Sequence, residues 1–154
     1  MANPVFKIEV QNLDKLQAAI RETPEIAKPI LNQAMRMAVN TLAKYTTRDR
    51  VPWRTGRLTK SFIANYADLK ATWRPTAKYA AAVEFGTGPH VIVPKKAKAL
   101  FWPGADHPVK KVNHPGTKGK PYMDSIRQAA QGEINTIFEQ ALKKITQGIA
   151  QASQ

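Results

Sequence analysis

The sequence predicts an α+β fold, with a mainly antiparallel sheet packed by two long helices, one in the N-terminal half and one at the C-terminal end. Three observations point to it. Residues 30–48 and the stretch from Met123 onward repeat apolar side chains every three to four positions, which lays one apolar stripe along a helix. Between them lie short runs rich in aromatic and β-branched residues, bounded by Gly, Pro, Asn and Asp, the mark of strands and turns. The helical stretches flank the strand-rich middle rather than alternating with it, which favours helices on one face of an antiparallel sheet. With 154 residues, 43% of them apolar, the chain reads as one domain over 1–154 with a core of its own.

Taken in order, Val5–Val10 sets Phe6, Ile8 and Val10 against Lys7 and Glu9, the period of a half-buried strand. Asn12 then caps a short helix with Leu13, Leu16 and Ile20 on one stripe. In the next helix Thr23 fits the N-cap and Pro24 the first position. Pro29 lacks a backbone donor and is expected to kink or delay that helix. Ile30, Ala34, Met37, Ala38, Thr41, Leu42 and Tyr45 share its face, giving a helix over 30–48. Pro52 and Gly56 mark a loop, and Gly56-Arg57-Leu58 opens a helical turn. Phe62–Tyr66 and Leu69–Trp73 read as two strands joined by a tight turn near Ala67-Asp68.

Tyr79–His90 reads as a corner. Alanine-rich Tyr79–Val83 winds into a short helix with Glu84 at its end. Gly86 and Gly88 bracket Thr87, so positive φ is expected twice, and Pro89 sends the chain into an extended path. Val91–Val93 and Ala99–Trp102 are expected to pair as strands across Pro94–Lys98. Residues 103–121, rich in Pro, Gly and Lys, are expected to form a long exposed or mobile loop without regular structure. From Met123, the residues Ile126, Ala130, Ile134, Ile137, Phe138, Ala141, Leu142, Ile145 and Ile149 keep one stripe. They predict a helix of about 25 residues, roughly 38 Å long. Gly132 weakens it by about 1 kcal/mol and is a place for a bend.

The net charge is +13, and its distribution is uneven. Residues 1–30 carry four basic and four acidic side chains, and residues 121–154 carry three of each. Residues 31–120 hold 17 Lys and Arg against Asp49, Asp68, Glu84 and Asp106, so the whole excess lies in the middle. That pattern fits either a solvated surface or a face that meets nucleic acid or an acidic protein. The absence of cysteine excludes disulfides and thiolate metal sites. No apolar run approaches the roughly 20 residues that cross a bilayer, and the amino end does not read as a secretory signal. The expectation is a protein made and used in solution, without a membrane.

Catalytic chemistry has little to stand on. There is no nucleophile elbow or phosphate loop. His90, His107 and His114 are the imidazoles, and a metal site from Asp106, His107 and His114 would lack helical spacing to preorganise it. Glu84 is the one acid between Asp68 and Asp106, with no acid–base partner near it in sequence. It is expected to be a brace, paired with Arg57 or accepting backbone N–H bonds from the Gly86–Gly88 turn. Trp53, Trp73 and Trp102 lie near basic residues; core or interface anchoring is favoured over stacking on bases. No zinc finger, helix-turn-helix or ribonucleoprotein motif is present. No enzymatic activity, catalytic residue, metal or cofactor is expected.

Three punctuated stretches carry a resemblance. They are Thr55-Gly56-Arg57-Leu58 with Ser61, then Tyr79-Ala80 through Val83-Glu84-Phe85-Gly86-Thr87-Gly88, then His114-Pro115-Gly116-Thr117-Lys118 with Pro121-Tyr122. In this order and spacing they resemble the small tail-completion, or head–tail joining, proteins of tailed bacteriophages, the lambdoid minor tail components of the Z type and their HK-type relatives. The resemblance runs from the first long helix to the last. It implies a non-enzymatic α+β subunit that assembles as a homo-oligomeric ring, a hexamer, at the virion neck. Its partners would be copies of itself and the neighbouring tail-terminator and head-closure proteins. DNA would pass through the channel without sequence-specific binding, and the protein would be made in the host cytoplasm for a long non-contractile tail. Where the family has Pro-Phe and a leucine opening the last helix, this chain has Pro121-Tyr122-Met123-Asp124, and the Trp102–Val112 loop is its own.

On this reading Gly56, Arg57, Glu84, Gly86 and Gly88 form a structural corner. The loop 103–121 is an arm that orders on assembly. Lys95, Lys96, Lys98, Trp102, Lys110, Lys111, His114, Pro115, Gly116, Lys118 and Lys120 are the candidate contacts with neighbours. A protein partner is favoured over DNA for these lysines, because fixed phosphate contacts would slow a sliding duplex. The alternatives are a basic nucleic-acid-binding module, a tail terminator or head-closure ring protein, and, least favoured, a small hydrolase or nuclease using the loop histidines.

Overall fold

The computed structural model describes Pro4, Phe6–Lys7, Arg21 and residues 23–95 and 97–152. The short helix bearing Leu13, Leu16 and Ile20, most of the Val5–Val10 strand, and Lys96 lie outside the described residues. The remaining fold is α+β, as the periodicities predict.

Helix α1 spans Pro24–Tyr45, with Pro24 in its first turn and the Thr23 carbonyl accepting from the Ile26 and Ala27 N–H groups at 3.1 and 3.0 Å. The helix therefore starts upstream of Pro29, which neither delays nor ends it. An interior proline costs about 3 kcal/mol. That loss is outweighed by burial of Ala27, Leu31, Ala34, Ala38, Val39 and Leu42, where each full-sized apolar side chain gains about 1.5–3 kcal/mol. The helix ends at Tyr45 rather than residue 48. There the Thr46 N–H turns back to the Ala43 carbonyl and its hydroxyl donates to the Leu42 carbonyl at 2.7 Å. Met37, expected on the buried stripe, is exposed.

After α2 (Arg57–Lys60), β2 (Phe62–Ala67) and β3 (Lys70–Pro75) form an antiparallel hairpin with Phe62 opposite Pro75 and Ala67 opposite Lys70. Its two-residue turn, Asp68-Leu69, puts Leu69 at φ 52°. Asn32 of α1 holds that turn from both sides, accepting the Leu69 N–H at 2.9 Å and donating to Asp68 Oδ1 at 3.1 Å. Strand β1 (Phe6–Lys7) pairs with the other edge of β3, giving the antiparallel order β1-β3-β2.

Helix α4 (Tyr122–Ala152) runs 31 residues, longer than the stripe predicted. Its contacts with α1 descend as those of α1 ascend. Ile145 packs with Ala27 and Leu31, then Ala141, Phe138 and Ile137 with Ala34 and Ala38, then Ile126 and Ala130 beside Leu42. The two helices are thus antiparallel, and alanines at the crossing let the backbones approach. The largest cluster closes this end. It joins Leu42, Val51, Leu58, Phe62, Ala80, Tyr122 and Met123, with Trp73 stacked on Phe62 at 5.3 Å and Tyr122 edge-on to it at 6.3 Å.

Between β3 and α4 the structure departs from expectation. Val91–Val93 does not pair with Ala99–Trp102. Instead β5 (His90–Ile92) pairs with β6 (Val112–His114), β4 (Gly86–Thr87) pairs with β7 (Thr117–Lys118), and Leu100 bridges to Val109. The first two pairs share one antiparallel register, so residues 86–118 form a single ribbon, and 103–121 is not an unstructured loop. Pro89, Pro94, Pro103, Pro108 and Pro115 all fall between the paired residues, where a missing donor costs nothing. The prolines punctuate the ribbon instead of abolishing it.

The core assignment is testable. Ile126→Ala, at a fully buried position, lowers unfolding free energy by about 2–5 kcal/mol. Met37→Ala changes it by less than about 0.5 kcal/mol. Denaturant midpoints at constant m-value read both.

Candidate assembly surface

The candidate surface is built on the corner at the ribbon's base. Helix α3 (Ala80–Phe85) packs Ala80 and Ala81 inward, and the Tyr122 hydroxyl donates to the Ala80 carbonyl at 3.3 Å. Gly86 ends the helix at φ 79°, and a Cβ there would run into the Thr117 carbonyl. The position accepts only glycine on both counts. Gly88 was expected to share this left-handed conformation but does not adopt it. The β7 segment is drawn against the end of α3, with the Lys120 N–H donating to the Val83 carbonyl at 2.8 Å.

Glu84 occupies the centre of this corner at 8% exposure. Its Oε2 accepts the Met123 N–H at 3.1 Å, in the first turn of α4. The expected ion pair with Arg57 does not form: Arg57 is exposed, and no Arg57–Glu84 contact lies within ion-pair distance. Nor does the carboxylate serve the Gly86–Gly88 turn. The residue before α4 is Pro121, which has no side-chain acceptor; the Tyr122 N–H turns to the Lys120 carbonyl at 2.8 Å, and the Met123 N–H finds its acceptor on a different helix. Burial pushes the Glu84 carboxyl above the usual glutamate value. The Met123 and Tyr122 amides pull it back down, and the nearby Asp124 adds to the rise. Burial also raises the Tyr122 phenol, so it stays a neutral donor.

The three motif stretches meet here. The second and third become paired strands, Gly86 opposite Lys118 and His90 opposite His114. The first arrives through Leu58, buried beside Ala80 and Tyr122, while Gly56 lies under the Trp53 ring. His90 and His114 stack across the ribbon at 5.0 Å. The Gly116 N–H donates to His114 Nδ1 at 3.0 Å, and His90 Nδ1 is 2.9 Å from the Gly88 carbonyl. His114 is therefore a strand residue hydrogen-bonded to the backbone, and among the described residues no group of three ligating side chains is placed to hold a metal.

The far end of the ribbon is a formed turn. The Ala105 N–H donates to the Trp102 carbonyl at 3.0 Å, with Pro103 second and Gly104 third at φ 94°, the geometry of a type II turn. Two hydrogen bonds between Leu100 and Val109, of 2.8 and 3.0 Å, close it. Phe101 is 67% exposed and Trp102 45%, Val91 and Val93 are exposed along the same ribbon, and Phe85 is exposed at the end of α3 just before it. Lys95, Lys98, Lys110, Lys111, Lys118 and Lys120 are exposed as well, with Asp106 the one carboxylate of the ribbon. Exposed aromatics gathered on one element mark an interaction surface.

At the ribbon's base lies an open cleft of about 460 Å³, lined among others by Arg48, Asp49, Arg50, Trp53, Lys120 and Ser125. Arg48 lies over the Trp53 ring at 5.3 Å, and Asp49 pairs with Arg50 at 3.0 Å. The sequence reading missed this cleft, Phe101 and the role of Tyr122. Phe101-Trp102-Pro103-Gly104 did carry a signal, a type II turn dipeptide beside two aromatics.

Two variants test the corner. Glu84→Ala leaves the start of α4 without its acceptor and costs about 1–3 kcal/mol. Glu84→Gln keeps an acceptor without the buried charge and holds neutral-pH stability within about 1 kcal/mol of wild type. Because the folded carboxyl titrates above its ordinary 4.5, the Glu84 contribution is fully present in acid and is lost as pH rises through the folded value. The wild-type minus Gln difference in stability therefore falls as pH rises from 4.5 through the raised folded value, read by denaturation at stepped pH.

Among the described residues no helix is long and apolar enough to cross a membrane. Residues 11–86 match the HK97-gp10-like family, described as "Bacteriophage HK97-gp10, putative tail-component". No curated protein and no solved structure gives a match. The matched stretch takes in α1, the Gly56 turn, the β2–β3 hairpin and the corner to Gly86, and it stops where the ribbon begins. This likeness supports a bacteriophage tail component.

Proposed function

We propose that the protein is a non-enzymatic subunit of the phage neck, assembling as a ring that completes the tail and joins it to the head. The observation that carries the reading is the ribbon over residues 86–118, which holds solvent-exposed Phe101, Trp102, Val91 and Val93 on a rigid base. A free subunit gains nothing by exposing these side chains, whereas a ring buries them at every contact. A hexamer of the Z-type or HK-type class fits the three motif stretches and the tail-component likeness. The exposed lysines of the ribbon suit acidic surfaces of adjoining neck proteins, with DNA passing through the channel unread.

The test is location. Gold-labelled antibody on intact virions places the protein at the head–tail joint, and particles made without it accumulate as separate heads and tails. Label spread along the tail tube, or at the tip far from the head, overturns the reading.

A further inference from the structure

Resting on that ring reading, we infer that the ribbon tip of one copy, Phe101-Trp102 with Asp106, docks in the Arg48–Trp53–Lys120 cleft of a second copy.

The cleft carries more positive charge than it neutralises. Asp49 is taken up by Arg50 at 3.0 Å, while among the described residues no carboxylate lies within ion-pair distance of Arg48 or Lys120. Trp53 is 43% exposed at its wall. The tip presents the complement. Asp106 is exposed, is the single acid on the ribbon and has no cation within ion-pair distance among the described residues. It sits four residues beyond Trp102, across the turn that fixes both. Asp106 can meet Lys120 or Arg48 while the tip aromatics cover Trp53, and aromatic and Arg side chains are the groups that dominate such contacts.

The occupant is a second copy because the same copy cannot supply it. The cleft includes Gly119 and Lys120, immediately after the base of the ribbon. From Lys118 back to the Val109 bridge the chain covers nine residues, or about 30 Å when extended. Folding the tip back onto its own base would break the His90–Ile92 and Val112–His114 pairs that hold the ribbon straight. The contact joins unlike surfaces, so each copy offers one tip and one cleft. Repetition of such a head-to-tail contact generates a ring when the rotation closes.

The chain contains no cysteine, so single thiols report cleanly. Separately purified Asp106→Cys and Lys120→Cys chains are mixed and treated with a short bis-maleimide, beside a control mixture of Asp106→Cys with Lys144→Cys, a thiol on an exposed part of α4. The 106–120 mixture is expected to cross-link about tenfold faster than the control, reflecting a raised effective concentration at a specific contact. Trp102→Ala added to the Asp106→Cys chain is expected to reduce that advantage severalfold, because the tip aromatics then no longer cover Trp53. Equal rates, or a dominant 106–106 product, overturn the inference. It is also overturned if Trp102→Ala leaves the cross-linking rate unchanged while Arg48→Glu abolishes binding of a duplex DNA, which gives the cleft to nucleic acid. Electron microscopy of the wild-type chain separates the two readings. Rings without the 106–120 preference refute this contact and leave the ring standing, while the preference without closed rings supports the contact and refutes the closure.

Discussion

The bond from the Met123 N–H to the Glu84 carboxylate is the constraint on which the other parts depend. A helix begins with unpaired backbone donors, and the start of α4 is buried in the largest apolar cluster with proline before it. Without Glu84 the donor would be sealed away from water and from any local cap. The carboxylate also sits where the partial positive charge of a helix start is strongest. That field and the amide bonds offset part of the cost of burying the charge, but burial still dominates and raises the carboxyl. One side chain thereby ties the end of α3, the start of the longest helix and the Val83–Lys120 backbone bond into one joint. The ribbon leaves from that joint, so its direction is set by the core.

The rest of the stability comes from apolar packing, and the ionic pairs are peripheral. Lys44–Glu133 at 2.8 Å, Lys28–Asp68 at 3.3 Å and Arg127–Asp124 at 3.0 Å all lie at the surface, where such pairs contribute about 0–1 kcal/mol. Lys44 does hold the Glu133 carboxyl below its usual value, yet both groups remain in water. The fold thus spends few of its many cations on its own stability. Arg48, Lys120 and the ribbon lysines remain available to whatever meets the surface.

What could be read in the sequence was whatever is encoded locally. Helices α1 and α4 announced themselves through stripes that are buried or half-buried except at Met37, and the β2–β3 turn was placed to within one residue. The corner at Gly86 was visible because a helix stop, a carboxylate and a glycine follow one another directly. The partner of Glu84 was not visible, since Met123 is 39 residues away and a shared cap exists only after α3 and α4 have packed. Arg57 looked attractive because it sits at another sharply punctuated turn, which says nothing about distance in space. The ribbon failed to show for a related reason. Its strands are two or three residues long, too short for a period, and their pairing joins residues 20 to 32 positions apart. Proline and glycine content was taken as the absence of structure when it marked where the pairs stop.

The family likeness ends at Gly86, and the ribbon begins at the same residue. The body is the part that resembles the HK97-gp10-like tail-component family, while the element offering an exposed surface lies beyond the matched stretch. An isolated two-stranded ribbon is only marginally stable in water. This one is anchored at its base by backbone packing against α3, yet its far end is held by the Leu100–Val109 bridge and one turn. Exposed Phe101 and Trp102 therefore sit on the least supported part of the ribbon. A contact that covers them removes apolar surface from water and supports the turn at once, so docking and ordering of the tip reinforce each other. The stiff joint at Glu84 then fixes where the tip is presented, which is what a repeating contact between identical subunits requires.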